Sequence, residues 1–405
     1  MKVLIYGINY FPEIVGTGKY TTELAEFLSK KDVEVRVITG NAYFPNWQTK
    51  ENKYKKEIIN NCLIFRSPIF VPSNPNGIKR IIHLLSFLIS SIPNLIQQKK
   101  WSPDVIIVVV PTLIIALNVI LYKLFLDKKS LTWLHIQDLE IDAAQNLKII
   151  NLGFLFIILK KFEKFIYFSF NYISTISEDM KKKVLSLVKE KKEIFLIRNW
   201  IDKNSIHSNP KITQKFKKEL NINSNEITVM YSGSLNKKQD LNLLIYAVKS
   251  CPDSLRIKWL FSIEGPSKNF LIEKIGSQDN VIITNLKQTK YLNSWLSVGD
   301  IHLLPQKAML SSVLMPSKLI GIMSSGKPVV ASVNQISELG RIVSKTGICT
   351  KPGDLDEFLN GIIKLAKNKN LREKLGKNAN LLLNSIYNKD KILNEFLIKL
   401  CNLKN

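Results

Sequence analysis

Short β-branched apolar runs alternate with helical stretches along most of this chain, and the alternation starts twice. The first series of strand-like runs comprises 3–8, 33–39, 105–110, 131–136, 172–177 and 194–197. The second series comprises 227–231, 257–263, 281–284, 301–304, 329–332 and 347–350. Strands that alternate with helices form parallel sheets with helices on both faces. The pattern therefore predicts an α/β fold of two Rossmann-like, doubly wound domains facing a cleft.

The length of 405 residues also favours two domains, because a single core of that size is unusual. We place the first domain at 1–202 and the second at 226–385. The polar, lysine-rich segment 203–225 is the expected linker. The chain beyond Asp354 has a helical pattern throughout. Its last part, 386–405, is expected to be a C-terminal helix that crosses back to the first domain.

The formal net charge of +25 favours anionic partners such as sugar nucleotides, nucleic acid or acidic lipid. Part of this charge is compositional, because lysine is frequent throughout the chain. The sequence has no basic stripe interleaved with aromatic residues and no zinc-finger or helix-turn-helix pattern, so no nucleic-acid partner is expected. Four scattered cysteines without a CxxC pair argue against a disulfide framework or a zinc site. Because the first residues have a strand pattern and not a signal-peptide pattern, a cytoplasmic location is expected.

A helical segment in the first series has the features of a membrane-surface helix. Ile78–Gln98 carries polar residues at every third or fourth position and isoleucine or leucine around the rest, and Pro93 should kink it. Its polar residues argue against a membrane span. We favour an interfacial helix over a core helix, because basic residues flank it: Lys79, Arg80, Lys99 and Lys100. Ile149–Phe170 is a second candidate, so an anionic membrane surface is an expected partner.

The stretch Met315–Ser332 is predicted to contain a phosphate-binding helix start. Its pattern indicates a short helix from Lys318 to Ser325, a stop at Gly326 and then a strand. A helix N-terminus has unpaired N–H groups and a partial positive charge, so it can bind a diphosphate. Lys318 would add a full positive charge at the same place. A buried βα unit with a surface lysine is the alternative.

The loop Asn9–Gly18 follows the first strand, at the edge where open α/β sheets bind ligands. It is neither a GxGxxG loop nor a Walker loop. Gly16, Thr17 and Gly18 are candidate contacts to a phosphate or an acceptor. A tight turn without a ligand is the alternative.

In their order along the chain, these motifs resemble family 4 of the GT-B glycosyltransferases, most closely those of colanic acid and related exopolysaccharide synthesis. The residues that carry the resemblance are YGINYFPEIVGTGKYTTELAEFL, WLHIQDLEID, STIS, RNWID, YSGSLNKKQDL and PSK…GKPVVAS. The resemblance implies transfer of a sugar from a nucleotide-sugar donor with retention at the anomeric carbon, without a metal or other cofactor. It also implies a lipid-linked glycan acceptor, carried on polyprenyl diphosphate, at the inner face of the plasma membrane. The expected product is a capsule, exopolysaccharide or O-antigen.

The resemblance implies that five residues in the second half bind the donor: Gly233, Ser234, Lys238, Ser317 and Lys318. Lys318, Ser317 and the helix start are expected to hold the diphosphate in place of a metal ion, with help from Lys238. Glu338 is a candidate partner of sugar or ribose hydroxyls, and a mobile surface glutamate is the alternative.

This chain departs from the common family pattern at the donor site. Ser234 stands where the family has an arginine, and Gln239-Asp240 where it has a lysine and a glycine. The family's paired glutamates fall on Val313 and Gly321, so their contacts to the donor cannot be carried over. This loss supports an alternative function, a catalytically inactive partner subunit or a regulatory sugar-nucleotide sensor. A GT-B epimerase is a further alternative.

The first half contributes two candidate catalytic residues, Asp138 and His135. Both follow or end a predicted strand, where the resemblance implies a His or Asp near the donor sugar. We favour Asp138, because a carboxylate can orient a sugar hydroxyl or accept the acceptor's proton. A hydrogen-bonded core histidine is the alternative for His135. Asn199 matches a family asparagine and is expected to be a hinge residue.

Overall fold

The structure, a computed structural model, describes residues 1–13, 16–44, 47–73, 77–110, 112–146, 153–189, 191–202, 208–236, 238–307 and 315–403. The chain divides into two compact units. The first unit contains most of Met1–Arg198 together with Leu393–Asn405. The second unit contains Asn199–Ile392.

The first unit is built on an eight-stranded sheet. Its strands are β1 (Lys2–Tyr6), β2 (Glu34–Gly40), β3 (Lys55–Ile59), β4 (Cys62–Ser67), β5 (Val105–Val110), β6 (Leu131–Ile136), β7 (Tyr172–Thr175) and β8 (Ile194–Leu196). The order is β3-β4-β2-β1-β5-β6-β7-β8, and neighbours are parallel except for β3 and β4. Every residue of the central strand β5 is buried, because a parallel sheet is covered on both faces.

Helices follow the strands of the first unit. They are α1 (Gly16–Ser29), α2 (Gly77–Ser90), α3 (Ile92–Gln97), α4 (Ala116–Phe125), α5 (Glu140–Asn146), α6 (Gly153–Ser169) and α7 (Glu178–Val188). The helix assignment is interrupted just before Pro93, since α2 ends at Ser90 and α3 begins at Ile92, with the proline in the first turn of α3; the kink expected there stays a prediction. The second predicted surface helix, 149–170, begins within residues that the structure does not describe, and its described part is α6.

The antiparallel hairpin of β3 and β4 was absent from the sequence prediction. β3 is mostly exposed and reads KKEII, so it lacks the apolar run that marks the other strands. The hairpin turn is the pair Asn60-Asn61, and both residues have positive φ, 49° and 63°. Asparagine tolerates this conformation, and such a pair between two extended runs is a hairpin signal.

The second unit contains a six-stranded sheet in which all neighbouring strands are parallel. Its strands are β9 (Ile227–Ser234), β10 (Ile257–Glu264), β11 (Val281–Thr284), β12 (Ile301–Pro305), β13 (Val329–Ser332) and β14 (Gly347–Thr350). The order is β11-β10-β9-β12-β13-β14. The first strand of this series lies beside the fourth, as in the Rossmann fold, so the direction of winding reverses between β9 and β12.

The helices from residue 208 onward are α8 (Pro210–Glu219), α9 (Leu241–Ser250), α10 (Lys268–Ile275), α11 (Leu292–Leu296), α12 (Ser317–Ser324), α13 (Glu338–Thr346), α14 (Leu355–Lys367), α15 (Lys369–Ile386) and α16 (Lys389–Asn402). The predicted linker 203–225 thus contains α8, which belongs to the second unit. Phe216 explains this, because it is buried with its ring 5.1 Å from that of Trp295. The end of α16 belongs to the first unit, where the Phe396 ring lies 4.8 Å from Trp133.

Candidate active site

The reversal of winding between β9 and β12 brings together two segments that lie about 80 residues apart in sequence. The carboxyl end of β9 carries Gly233 and Ser234, and α12 begins at Ser317 after the chain leaves β12. Ligands of open α/β sheets bind at such switch points, outside the carboxyl ends of the strands. The predicted donor-binding residues Gly233, Ser234 and Lys318 therefore meet at the place where a ligand is expected.

The ammonium group of Lys318 lies directly over the end of β9. Its Nζ donates to the hydroxyl of Tyr231 (2.5 Å) and to the carbonyl oxygen of Ser234 (3.1 Å). It also lies 4.4 Å from the centre of the Tyr231 ring, in cation–π geometry. The Tyr231 hydroxyl in turn donates to the Ser234 carbonyl oxygen (2.9 Å). The lysine is thus fixed in position by neutral groups only.

Glycine is required at position 233 for two reasons. Its φ of +131° lies in a region that side chains rarely adopt. A Cβ added there would also lie 2.3 Å from Cε and 2.7 Å from Nζ of Lys318. The sequence motif SGS therefore opens the space through which the lysine passes.

The electrostatic state of Lys318 suits an anionic ligand. Loss of hydration among these protein groups lowers the pKa of the Lys318 ammonium to about 7. Within the described residues no carboxylate forms an ion pair with it, so no protein charge compensates its burial. A bound anion would supply that compensation and would raise the pKa again.

The start of α12 adds backbone donors beside this lysine. Pro316 is the N-cap residue, and in the described part of the chain no side chain caps the helix. Ser317 is the first helical residue and is exposed. The uncapped N–H groups and the helix dipole therefore offer further positive potential at the same end.

The other residues that were predicted to bind the donor are Glu338 and Lys238. Glu338 is buried in the first turn of α13, after the N-cap Ser337, whose Oγ accepts from the N–H of Gly340 (3.0 Å). The alternative of a mobile surface glutamate is therefore wrong. Lys238 is partly buried, and its backbone N–H donates to Asn236 Oδ1 (2.9 Å). Val313 lies outside the described residues, whereas Gly321 lies in α12 beside Leu296.

Two groups at the second-unit switch point were missed by the sequence analysis. Tyr231 is a buried tyrosine one position before the SGS loop, and burial raises its pKa, so its hydroxyl stays protonated. Gln306 follows β12, and its buried side-chain oxygen has no hydrogen-bond partner within the described residues. A polar group at the end of a buried strand is the sequence signal that could have singled out both residues.

The first unit has its own switch point, between β1 and β5, and the predicted acceptor loop lies there. Gly16 has a φ of +58° and begins α1, and Thr17 follows it. Gly18 packs closely on Glu13, since an added Cβ would lie 2.7 Å from the Glu13 carbonyl oxygen. The local backbone thus explains why positions 16 and 18 are glycine. A contact between this loop and a ligand stays a prediction.

The geometry does not favour a catalytic role for His135. The side-chain amide of Gln137 donates to its Nε2 (2.7 Å), which leaves the proton on Nδ1 for a bond to Ser174 Oγ (2.8 Å). Burial lowers the pKa of His135 to about 4, so the ring is neutral. Both of its nitrogens are engaged in hydrogen bonds within the protein. Asp138 follows β6, is partly exposed and lies before α5, so it remains the predicted catalytic residue of this pair.

In the described residues, no group of three or more His, Cys, Asp or Glu side chains is arranged to hold a metal ion. At the switch point of the second unit the structure places the Lys318 ammonium group. The four cysteines are unpaired thiols at separate positions: Cys62, Cys251, Cys349 and Cys401.

Two doubly wound α/β units on one chain are the architecture of the GT-B glycosyltransferases. Comparison with models of known protein families assigns the chain to the same class. Residues 14–205 match the model of Glycosyltransferase Family 4, and residues 212–381 match the model of Glycosyl transferases group 1. The chain belongs to family 4 of the GT-B glycosyltransferases and is an enzyme of that class.

Relatives and solved structures cover nearly the whole chain. The colanic acid biosynthesis glycosyl transferase WcaI of Escherichia coli is 33% identical over 378 residues, which are 89% of this chain and 91% of WcaI. Sucrose-phosphate synthase from Thermosynechococcus elongatus superposes with a TM-score of 0.80 at 15% identity, over 100% and 99% of the two chains. Anabaena HepE in complex with UDP-glucose superposes with a TM-score of 0.69 at 12% identity, over 99% and 100%.

Proposed function

We propose that this glycosyltransferase moves a sugar from a nucleotide-sugar donor to a lipid-linked glycan during the synthesis of a cell-surface polysaccharide. The observation that carries the proposal is the position of Lys318 at the switch point of the second unit. The similarity to WcaI, a protein named for colanic acid biosynthesis, supports the polysaccharide class. The similarity in fold to HepE, whose structure contains UDP-glucose, is consistent with a nucleotide-sugar donor.

The leaving group of such a transfer is a nucleoside diphosphate, and its negative charge grows as the glycosidic bond breaks. A fixed ammonium group and uncapped N–H groups stabilise developing charge without having to reorganise. Lys318 and the start of α12 supply both, so the proposed transfer is independent of a metal ion. We further propose retention at the anomeric carbon, with Asp138 as the residue of the first unit that orients a hydroxyl or accepts a proton.

The acceptor side of the proposal rests on the surface of the first unit. Isoleucines on the outer face of α2 are exposed, among them Ile78 at 74% and Ile89 at 67%, and Phe154 on α6 is exposed at 76%. Exposed basic residues lie beside them at Lys79, Arg80, Lys99 and Lys100. An apolar face flanked by cations suits the interface of an anionic membrane. We therefore propose a peripheral location on the inner face of the plasma membrane, next to a polyprenyl-linked acceptor.

One helical segment, Gly77–Lys100, is long and apolar enough to cross a membrane, judged by length and composition alone. A third of its most apolar window is buried in the protein. The buried groups include His83, Ser91 and Gln98, which hydrogen-bond to the rest of the first unit. These bonds support a surface helix rather than a span.

The test is a thermal-shift screen against UDP-, GDP- and dTDP-sugars, followed by transfer from the stabilising donor to lipid-linked glycans extracted from the source membranes. A bound donor stabilises the native state. We expect one nucleotide class to raise the melting temperature and to support transfer in the presence of EDTA, with the anomeric configuration of the donor retained in the product by NMR.

Two outcomes would contradict the proposal. The absence of stabilisation by every nucleotide sugar would rule out a donor site of this kind. Tight donor binding with no turnover on any acceptor would instead support the inactive partner or sensor, the alternative that the loss of the paired glutamates favours.

A further inference from the structure

The carboxyl edge of the first-unit sheet exposes aromatic side chains. Among the described residues of its loops, the large apolar side chains that are exposed are all aromatic: Phe11, Phe44, Tyr54 and Phe70. Phe11 follows β1, Phe44 follows β2 and Phe70 follows β4, and Tyr54 immediately precedes β3. These strands are neighbours in the order β3-β4-β2-β1. Because adjacent strands lie about 5 Å apart, the loops after β4, β2 and β1 span roughly 10 Å of one edge.

The backbone beneath these rings is fixed by buried polar side chains. The carboxylate of Glu13 accepts from the N–H of Tyr43 (2.8 Å) and of Phe44 (2.9 Å) through Oε1, and from Asn9 Nδ2 (2.7 Å) through Oε2. It thereby joins the loop after β1 to the loop after β2. Glu13 is 3% exposed, so it cannot itself reach a ligand.

The other two phenylalanines are held in the same way. Arg66 donates from Nη2 to the carbonyl oxygen of Phe11 (2.5 Å), whose N–H donates to Thr22 Oγ1 (2.9 Å). His83 donates from Nδ1 to the carbonyl oxygen of Phe70 (2.5 Å), whose N–H donates to Ser86 Oγ (2.8 Å). Exposed rings on a fixed backbone lose little conformational entropy when they bind a ligand.

We propose that Phe11, Phe44 and Phe70 form the subsite for the acceptor sugar, and that Glu13 is the residue that positions it. The proposal rests on the proposed function, since it takes the acceptor to be a glycan. The subsite lies at the first-unit switch point, on the same edge as the predicted acceptor loop of Gly16, Thr17 and Gly18.

The kind of side chain decides which part of the acceptor binds there. The outer face of α2 exposes isoleucine and leucine, which suit hydrocarbon chains. The sheet edge exposes aromatic rings, whose flat faces pack against the C–H face of a pyranose. We therefore assign the edge to the sugar and the helix face to the lipid.

The experiment measures donor and acceptor KM with a panel of octyl glycosides and the matching methyl glycosides of glucose, galactose and N-acetylglucosamine. Phe44→Leu keeps the side chain apolar but removes the ring, whereas Phe44→Tyr keeps the ring. We expect Phe44→Leu to raise the acceptor KM about threefold to tenfold, equally for octyl and methyl glycosides, and to leave the donor KM unchanged. Phe44→Tyr should resemble the wild type. Phe270→Leu, at a comparably exposed phenylalanine of the second unit, is the matched control.

Glu13 is tested in the same assay. Glu13→Ala leaves the N–H groups of Tyr43 and Phe44 without their acceptor, so the acceptor KM should rise while the donor KM stays the same. Glu13→Gln should restore part of the acceptor affinity, because its amide oxygen can accept the same two bonds. A loss of folding alone would lower the amount of active enzyme and therefore the apparent kcat, and it would leave the KM of both substrates unchanged.

Each result has one meaning. If the wild type transfers and Phe44→Leu has an unchanged acceptor KM, the subsite is overturned. A loss confined to the octyl glycosides would assign the ring to the lipid and would overturn the sugar assignment. If the wild type transfers to the extracted lipid-linked glycans but to no glycoside, the sugar subsite is overturned, because a single sugar does not bind there. If it transfers to neither kind of acceptor, the proposed function itself fails.

Discussion

At the scale of single residues, Lys318 and Gly233 depend on each other. The lysine reaches the end of β9 only because position 233 has no side chain, and the neutral partners Tyr231 and Ser234 hold it without neutralising it. An ammonium group in this position has a lowered pKa and a strong preference for a bound anion.

Binding of a nucleoside diphosphate should therefore be linked to proton uptake. With a pKa of about 7, Lys318 is mostly neutral in the free protein at pH 8 and becomes charged when the diphosphate binds. Calorimetry in buffers of different ionisation enthalpy should show uptake of about one proton at pH 8, and affinity should fall about tenfold per pH unit above 7. Lys318→Arg stays charged, so both effects should vanish in that variant. Equal uptake by the variant and the wild type would contradict this assignment.

A double-mutant cycle tests the dependence of Lys318 on Gly233. Gly233→Ala places a methyl group in the path of the lysine, so it should weaken nucleotide binding in the wild-type background. In a Lys318→Ala background the same change should have little further effect on binding, although the strain at positive φ should lower the melting temperature in both. Additive losses of affinity would show that the two positions act independently.

The sequence located part of this site and missed part. Lys318 was singled out because it lies at a predicted helix start, and Gly233 and Ser234 because of the resemblance to family 4; that they bind a donor stays a prediction. Tyr231 was missed because its role depends on a side chain 87 positions away, which no local pattern reveals. For His135 the sequence predicted the strand end correctly, but only the structure shows that Gln137 and Ser174 occupy both of its nitrogens.

At the scale of elements, the periodicity of apolar residues predicted all six strands of the second sheet and six of the eight strands of the first sheet. The hairpin of β3 and β4 was missed: β3 is an exposed edge strand whose first three residues are charged, so it has no long apolar run, and without a predicted partner the short strand β4 was not assigned either. Segment 203–225 was also treated as a linker, because the burial of Phe216 in α8 depends on Trp295, which is distant in sequence.

The outer face of α2 carries the prediction of membrane binding. Replacing Ile81 and Ile89 by serine removes two exposed apolar side chains and should leave the fold intact. Binding to vesicles that contain phosphatidylglycerol should fall at least tenfold in a sedimentation assay, because each buried isoleucine contributes on the order of 1.5–3 kcal/mol. Leu381→Ser, at an exposed leucine of α15, is the matched control. Unchanged vesicle binding by the double variant would exclude this face as the contact.

At the scale of the whole molecule, each unit contains a neutral, fully buried histidine. His135 lies in the first sheet, and His302 lies in β12 and donates from Nε2 to the carbonyl oxygen of Leu296 (3.0 Å). Burial lowers the pKa of each to about 4. Between pH 6.5 and 4 the unfolded chain therefore binds more protons than the folded chain, so stability falls as the pH falls.

Chemical denaturation at pH 7 and pH 5 measures this effect. We expect each histidine to contribute a loss on the order of 2 kcal/mol between the two values. His135→Gln keeps a polar side chain without the titration, so the loss should shrink in that variant, and likewise in His302→Gln. A pH dependence that is identical in the wild type and both variants would contradict the assignment of neutral buried rings.

In the proposed function, the diphosphate of the donor binds against Lys318 and the start of α12. The most direct measurement is isothermal titration of UDP, GDP and dTDP into the wild type, Lys318→Ala and the distant control Lys345→Ala. We expect one nucleotide to bind the wild type and the control with the same affinity and to bind Lys318→Ala at least tenfold more weakly at pH 6.5. Equal affinity of the wild type and Lys318→Ala for that nucleotide would contradict the assignment of Lys318 to the diphosphate.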